Sequence, residues 1–69
     1  MAIAVREHHN PNYYIVLEIN MTSEIPYYEV NACPIYGDLV GYPEHSMTYP
    51  LFDKRNANAT FNRYKRKYV

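Results

Sequence analysis

Hydrophobic and polar positions alternate most regularly between Tyr13 and Asn20, which read YYIVLEIN. Successive side chains of a strand point to opposite faces, so Tyr13, Ile15, Leu17 and Ile19 share one face. Tyr14, Val16, Glu18 and Asn20 share the other, half apolar and half polar. Thr22, Ser23 and Pro26 mark a turn across residues 21–26, and the alternation resumes in Tyr27 to Cys33 (YYEVNAC). There Tyr28, Val30 and Ala32 stand against Tyr27, Glu29, Asn31 and Cys33. Two runs rich in β-branched and aromatic residues, joined by a polar turn, predict a hairpin.

The flanks are less regular. Residues 34–46 carry Pro34, Gly37-Asp38, Gly41 and Tyr42-Pro43 and read as a loop. Thirteen residues is long for a connection, so the segment holds either a short strand at Leu39-Val40 or a binding loop. Met47 to Phe52 is extended again, and Pro50 places it at a sheet edge because proline donates no ladder hydrogen bond. Ala2 to His8 predicts a further strand. The period then changes. Asp53 is a fitting N-cap for Lys54 to Lys67, a stretch without proline or glycine. Ala57, Phe61, Tyr64 and Tyr68 fall on one helical stripe, which should pack on the sheet and leave Arg55, Asn62, Arg63 and Arg66 in solvent. The pattern predicts one α+β domain over residues 1–69: a small antiparallel sheet of three to four strands packed by one C-terminal helix, β-β-β-(β)-α.

Size changes what must stabilise such a fold. A chain of 69 residues buries only about 60% of the surface its unfolded form exposes. One cysteine, Cys33, excludes an intramolecular disulfide, so aromatic packing by nine tyrosines and two phenylalanines must contribute, and self-association into a homo-oligomer is expected. Arg6, Glu7, His8 and His9 end the apolar start before a signal-peptide core could form, and no stretch approaches the roughly 20 apolar residues of a membrane span. A cytoplasmic protein with a reduced thiol is expected, with no membrane partner.

The net charge of zero conceals an asymmetry. Residues 1–50 hold Arg6 against Glu7, Glu18, Glu24, Glu29, Asp38 and Glu44, whereas residues 51–69 hold Asp53 against Lys54, Arg55, Arg63, Lys65, Arg66 and Lys67. Such polarity can steer partners through long-range fields. It also fits a basic helix end that complements its own dipole and an acidic sheet.

Candidate chemistry is sparse. Cys33 could meet His45, His8 or His9 in space, but nothing in the spacing requires it or supplies the environment that lowers a thiol pKa. Adjacent His8 and His9 face opposite sides of a strand, and Glu44-His45 offers at most two ligands, so no metal site or other cofactor is expected. Residues 37–41, GDLVG, lack the lysine and helix start of a phosphate cradle and read as a turn. The expectation is a protein that is not an enzyme.

Two contact surfaces remain. Lys54, Arg55, Arg63, Lys65, Arg66 and Lys67 form a basic footprint for nucleic acid, although helical spacing assigns Tyr64 and Tyr68 to the core, away from stacking on bases. The pairs Tyr13-Tyr14 and Tyr27-Tyr28 place a ring on each sheet face, leaving exposed tyrosine beside Val16 or Val30. Tyr14, Glu18, Tyr28 and Glu29 are the candidate protein-contact residues; the two acids repel phosphates and favour a protein partner.

The YYIVLEIN and YYEVNAC hairpin with the helix DKRNANATFNRYKRKYV resembles, as a type, very short phage and mobile-element proteins, anti-CRISPR proteins among them. The resemblance implies an inhibitor that occludes a host nucleic-acid-handling protein, and it transfers no residue roles. A sheet followed by one helix is also similar to the single-strand-binding transcription-coactivator fold, which dimerises and lays bases against its sheet. Glu18 and Glu29 oppose that mode here.

Overall fold

The computed structural model describes residues 1–69. Its elements are β1 (Ala2–His9), β2 (Tyr13–Asn20), β3 (Tyr27–Tyr36), β4 (Leu39–Val40) and β5 (His45–Pro50). A 3₁₀ turn at Leu51–Asp53 leads into α1 (Lys54–Lys67). This is an α+β fold in which every strand pairing is antiparallel. β1, β2, β3 and β5 lie side by side, and β4 pairs with the end of β3 that projects beyond β5.

The hairpin forms where the alternation placed it. Ile15 pairs with Ala32 and Leu17 with Val30, so the inward sets of β2 and β3 coincide. They meet Ala57, Phe61, Tyr64 and Tyr68 of the helical stripe in one core, with Tyr13, Ile19 and Tyr49 packed at its margins. Phe61, Ile15, Leu17 and Val30 are enclosed, each contributing about 1.5–3 kcal/mol by burial. Thr60, also enclosed, shares a hydrogen bond with the Tyr49 hydroxyl, so its polar atom enters the core with a partner.

The helix ends depart from expectation at one end. Asp53 occupies the N-cap position, but its carboxylate accepts from the Asn56 side-chain amide at 3.0 Å instead of capping a backbone N–H. At the other end the Tyr68 N–H donates to the Tyr64 carbonyl at 2.9 Å, and the Tyr68 carbonyl accepts from Asn10 Nδ2 at 2.7 Å. The Tyr68 hydroxyl pairs with His45 Nδ1, and its ring lies 5.1 Å from that of Tyr13. The last turn is thus fastened to the β1–β2 connection and to the start of β5.

Residues 34–46 hold the short strand expected as one alternative, β4 at Leu39–Val40, and they also contain the end of β3, which proline and glycine did not suggest. β3 runs on through Pro34, whose carbonyl accepts from the Gly41 N–H at 2.7 Å. The missing proline N–H falls in the gap between β5, whose pairing starts at Ala32–His45, and β4, whose pairing starts at Ile35–Val40. Gly37, with φ of 62°, opens a two-residue turn of the II′ pattern into β4. Gly41 sits so close to Tyr36 and Pro34 that a Cβ there would come within 2.8 Å of the Tyr36 ring.

β1 is a strand, and it holds an irregularity between Ala4 and Arg6. Ala4 pairs with Glu18, but Arg6 pairs with Leu17, so one extra residue is accommodated and the faces exchange. Arg6 consequently points under the helix. Its guanidinium donates to Asn58 Oδ1 at 2.9 Å and Asn62 Oδ1 at 3.3 Å, and it lies 4.4 Å from the Phe61 ring centre. The helix packs chiefly over β2, β3 and β5, so Arg6 is the clip that ties the edge strand to it. No helix is long and apolar enough to cross a membrane.

Candidate functional site

The face of the sheet turned away from the helix is assembled by register. Glu7 pairs with Val16, Val16 with Asn31, and Asn31 with Ser46, one row across four strands. The next row contains Ala4, Glu18, Glu29 and Thr48. The row on the other side contains His9, Tyr14 and Cys33. No lysine or arginine stands on this face, because Arg6 turns under the helix and the other six belong to α1. Part of the linear charge asymmetry becomes spatial: Glu7, Glu18 and Glu29 stand on one side of the sheet, and all seven lysines and arginines on the other.

Glu18 and Glu29 are directly opposed, an arrangement that like charge makes unfavourable. Asn31 holds them. Its Nδ2 donates to Glu18 Oε1 at 3.1 Å and to Glu29 Oε2 at 2.9 Å. Its Oδ1 accepts from the Ser46 hydroxyl, which fixes the amide with its donors towards the acids. Asn31 is buried, with 5% of its surface exposed, so the acids rest on an interior polar residue. Burial, and after it the Glu29 carboxylate, pushes the Glu18 carboxyl above its ordinary pKa. Tyr14 donates its hydroxyl to Glu7, and burial with that bond raises the phenol. The His9 ring lies 4.6 Å from the Tyr14 ring, extending the aromatic surface to the strand edge.

One protein-contact residue chosen from sequence is misplaced. Tyr28 pairs with Ile19 on the inner face, is buried, and belongs to the core under the helix, as does Val30. It cannot share a surface with Glu29, its neighbour in the strand; the outward ring of that pair is Tyr27. Tyr14, Glu18 and Glu29 do share one face, with Val16 among them. Glu7, Tyr27, Asn31 and Ser46 complete it and were not singled out from sequence. The alternation already assigned Tyr27. Glu7 depends on the β1 irregularity, and Asn31 on the cross-strand register, and neither has a local signal.

None of the histidines considered from sequence is brought to the Cys33 thiol. His45 pairs with Ala32 on the inner face and reaches Tyr68, whereas Cys33 points outwards. His8 also lies on the inner face, paired with Ile15, and His9 is kept from Cys33 by the intervening Tyr14. Burial, then the Glu18 and Glu29 carboxylates, pushes the Cys33 thiol up, away from thiolate. No three histidine, cysteine, aspartate or glutamate side chains converge, and the surface has no pocket.

On the helix side, Lys54, Arg55, Arg63, Arg66 and Lys67 are exposed, and Lys65 is half-buried. Arg63 lies 5.8 Å from the Tyr64 ring, Lys65 5.9 Å from Phe61, and Lys67 5.4 Å from Tyr68. These cations border aromatic residues whose faces are used by the core, so Tyr64 and Tyr68 are closed to stacking on bases. Protein-family profiles, characterised proteins and solved structures yield no match to this chain.

Proposed function

We propose that this is a non-enzymatic interaction protein whose outer sheet face docks on a basic groove of a nucleic-acid-handling protein and blocks it. The mode of action would be that of a phage-type inhibitor of the anti-CRISPR kind, acting in the cytoplasm. The observation that carries the reading is the one-sided charge: Glu7, Glu18 and Glu29 occupy a face without a cation, beside Tyr14 and Tyr27. Carboxylates spread over a pocket-free face offer a cationic groove what phosphates offer it, and tyrosine supplies contact area at small entropic cost.

The test is displacement. The protein should release a fluorescent oligonucleotide from a target with a basic groove, and a Glu18→Lys/Glu29→Lys variant that keeps its circular dichroism spectrum should not. Release undiminished by those substitutions would end this reading.

A second reading, a homodimeric nucleic-acid-binding module, draws on the clustering of Lys54, Arg55, Arg63, Lys65, Arg66 and Lys67 on the helix side. It requires direct binding. Anisotropy titrations with single-stranded DNA, duplex DNA and RNA should then show affinity falling with salt, by about one unit of log–log slope per phosphate contact. Absence of binding at low salt, where the attraction is strongest, removes it.

A further inference from the structure

The last row of the sheet runs Ala2, Asn20, Tyr27, Pro50. Everything beyond that row forms one end of the molecule: Met1, the β2–β3 turn, and the 3₁₀ turn that enters the helix. The Met21 N–H donates to the Met1 carbonyl at 2.8 Å, which fixes the first residue to the turn. The apolar side chains here are turned outwards. Phe52 is 91% exposed, Ile25 80% and Met1 78%, with Met21 and Leu51 nearly half exposed. At roughly 200 Å² for a fully exposed large residue, these five together present at most about 600–700 Å² of surface, most of it apolar. Doubled, that total falls within the roughly 1,200–2,000 Å² that stable interfaces bury.

We propose that this end is an interface between two copies of the chain, related by a twofold axis through the patch. Charge selects the occupant. Glu24 lies beside Ile25, and Lys54 and Arg55 follow Phe52 and Asp53, so this second flank keeps a net positive charge even with the Asp53 carboxylate, which accepts from Asn56. A twofold axis in the plane of the patch, perpendicular to the line joining its two flanks, brings each flank against the opposite flank of the partner, so Glu24 of one copy meets Lys54 and Arg55 of the other, twice. The opposite end of the molecule also exposes Leu39, Val40 and Tyr42, but with Asp38 and Glu44 beside them, so a second copy there would meet like charge. The interface goes beyond the docking reading and is independent of it, because the outer sheet face remains open in each copy.

Sedimentation equilibrium on the full chain, from micromolar to near-millimolar concentration, reads the association directly. A monomer–dimer equilibrium is expected, and Phe52→Glu should weaken it roughly thirtyfold, as loss of a central aromatic anchor does. Glu24→Lys alone, and Lys54→Glu/Arg55→Glu alone, should each weaken self-association; mixed together, these two variants should form a heterodimer. All are surface changes, and an unaltered circular dichroism spectrum shows that each variant folds. A monomer at every concentration overturns the proposal. So does a dimer indifferent to Phe52→Glu, or a mixture in which the charge variants fail to pair.

Discussion

Along β2 and β3, every second residue enters the core and the residues between them form the acidic face, yet the two sets are held by different forces. On the inner face Ile15, Leu17, Val30 and Ala32 meet Ala57 and Phe61 through apolar burial, which is non-directional and favours enclosure. On the outer face, one residue away along each strand, Glu18 and Glu29 are kept together by the directed hydrogen bonds of Asn31. The inner face lowers the free energy of the fold. The outer face holds like charges opposite each other at some cost to it. A sheet that needed only to fold would be better served by opposite charges there, and this is why the outer face, and not the packed one, is where contact with a partner is sought.

The largest effect should come from the inner face. Phe61 is the largest enclosed side chain and also lies beneath the Arg6 guanidinium, so it links helix, central strands and edge strand. Phe61→Ala should cost about 3–5 kcal/mol, most of the stability available to a chain of this size, and leave little folded protein in urea titrations at room temperature. A loss below about 1 kcal/mol would mean that this face does not hold the fold together.

An intermediate effect should come from the bridge between the acids. Asn31→Ala removes the donor that Glu18 and Glu29 share and leaves the Ser46 hydroxyl without its acceptor. The expected cost is about 1–3 kcal/mol in the urea-unfolding free energy at neutral pH. A neutral outcome would show that water replaces the amide without loss.

The contrast between the faces was only half legible in the sequence. Ile15, Leu17, Val30, Phe61 and Tyr64 announce themselves, because a period of two and a period of about 3.6 are local properties of a chain. The strand through Pro34 was hidden, since whether a proline N–H is missed depends on what lies alongside, and here a gap between two strands does. Tyrosine-rich composition points Tyr28 to the outer surface, but its alternation with Glu29 places it inside, and the structure follows the period. The place of Glu7 and the turning of Arg6 under the helix follow from one irregularity at Val5, where an unbroken strand would have exchanged them. Glu24 beside Ile25 and Lys54 with Arg55 after Phe52 lie far apart in the chain and come to one end of the molecule only once the sheet has formed.

The smallest effect is the most telling about the outer face, because its sign should be the reverse of the other two. The Glu18 carboxyl is held above its ordinary value by burial and then by Glu29, so the folded state binds the Glu18 proton more tightly than the unfolded state does. Stability from this group is therefore greatest in acid and is lost as pH rises through the carboxylate range; at neutral pH the full repulsion is present. Glu18→Gln keeps an acceptor for Asn31 and removes the charge. At neutral pH it should stabilise the fold by about 0.2–1 kcal/mol, a modest figure because the pair is partly screened by solvent. The gain should shrink as the pH falls and Glu18 of the natural chain takes up its proton. Urea unfolding of both chains from neutral pH into the acid range measures this difference. A Gln variant less stable at neutral pH would mean that the opposed acids are compensated by their surroundings, and the two faces would then differ in chemistry but not in what they contribute to the fold.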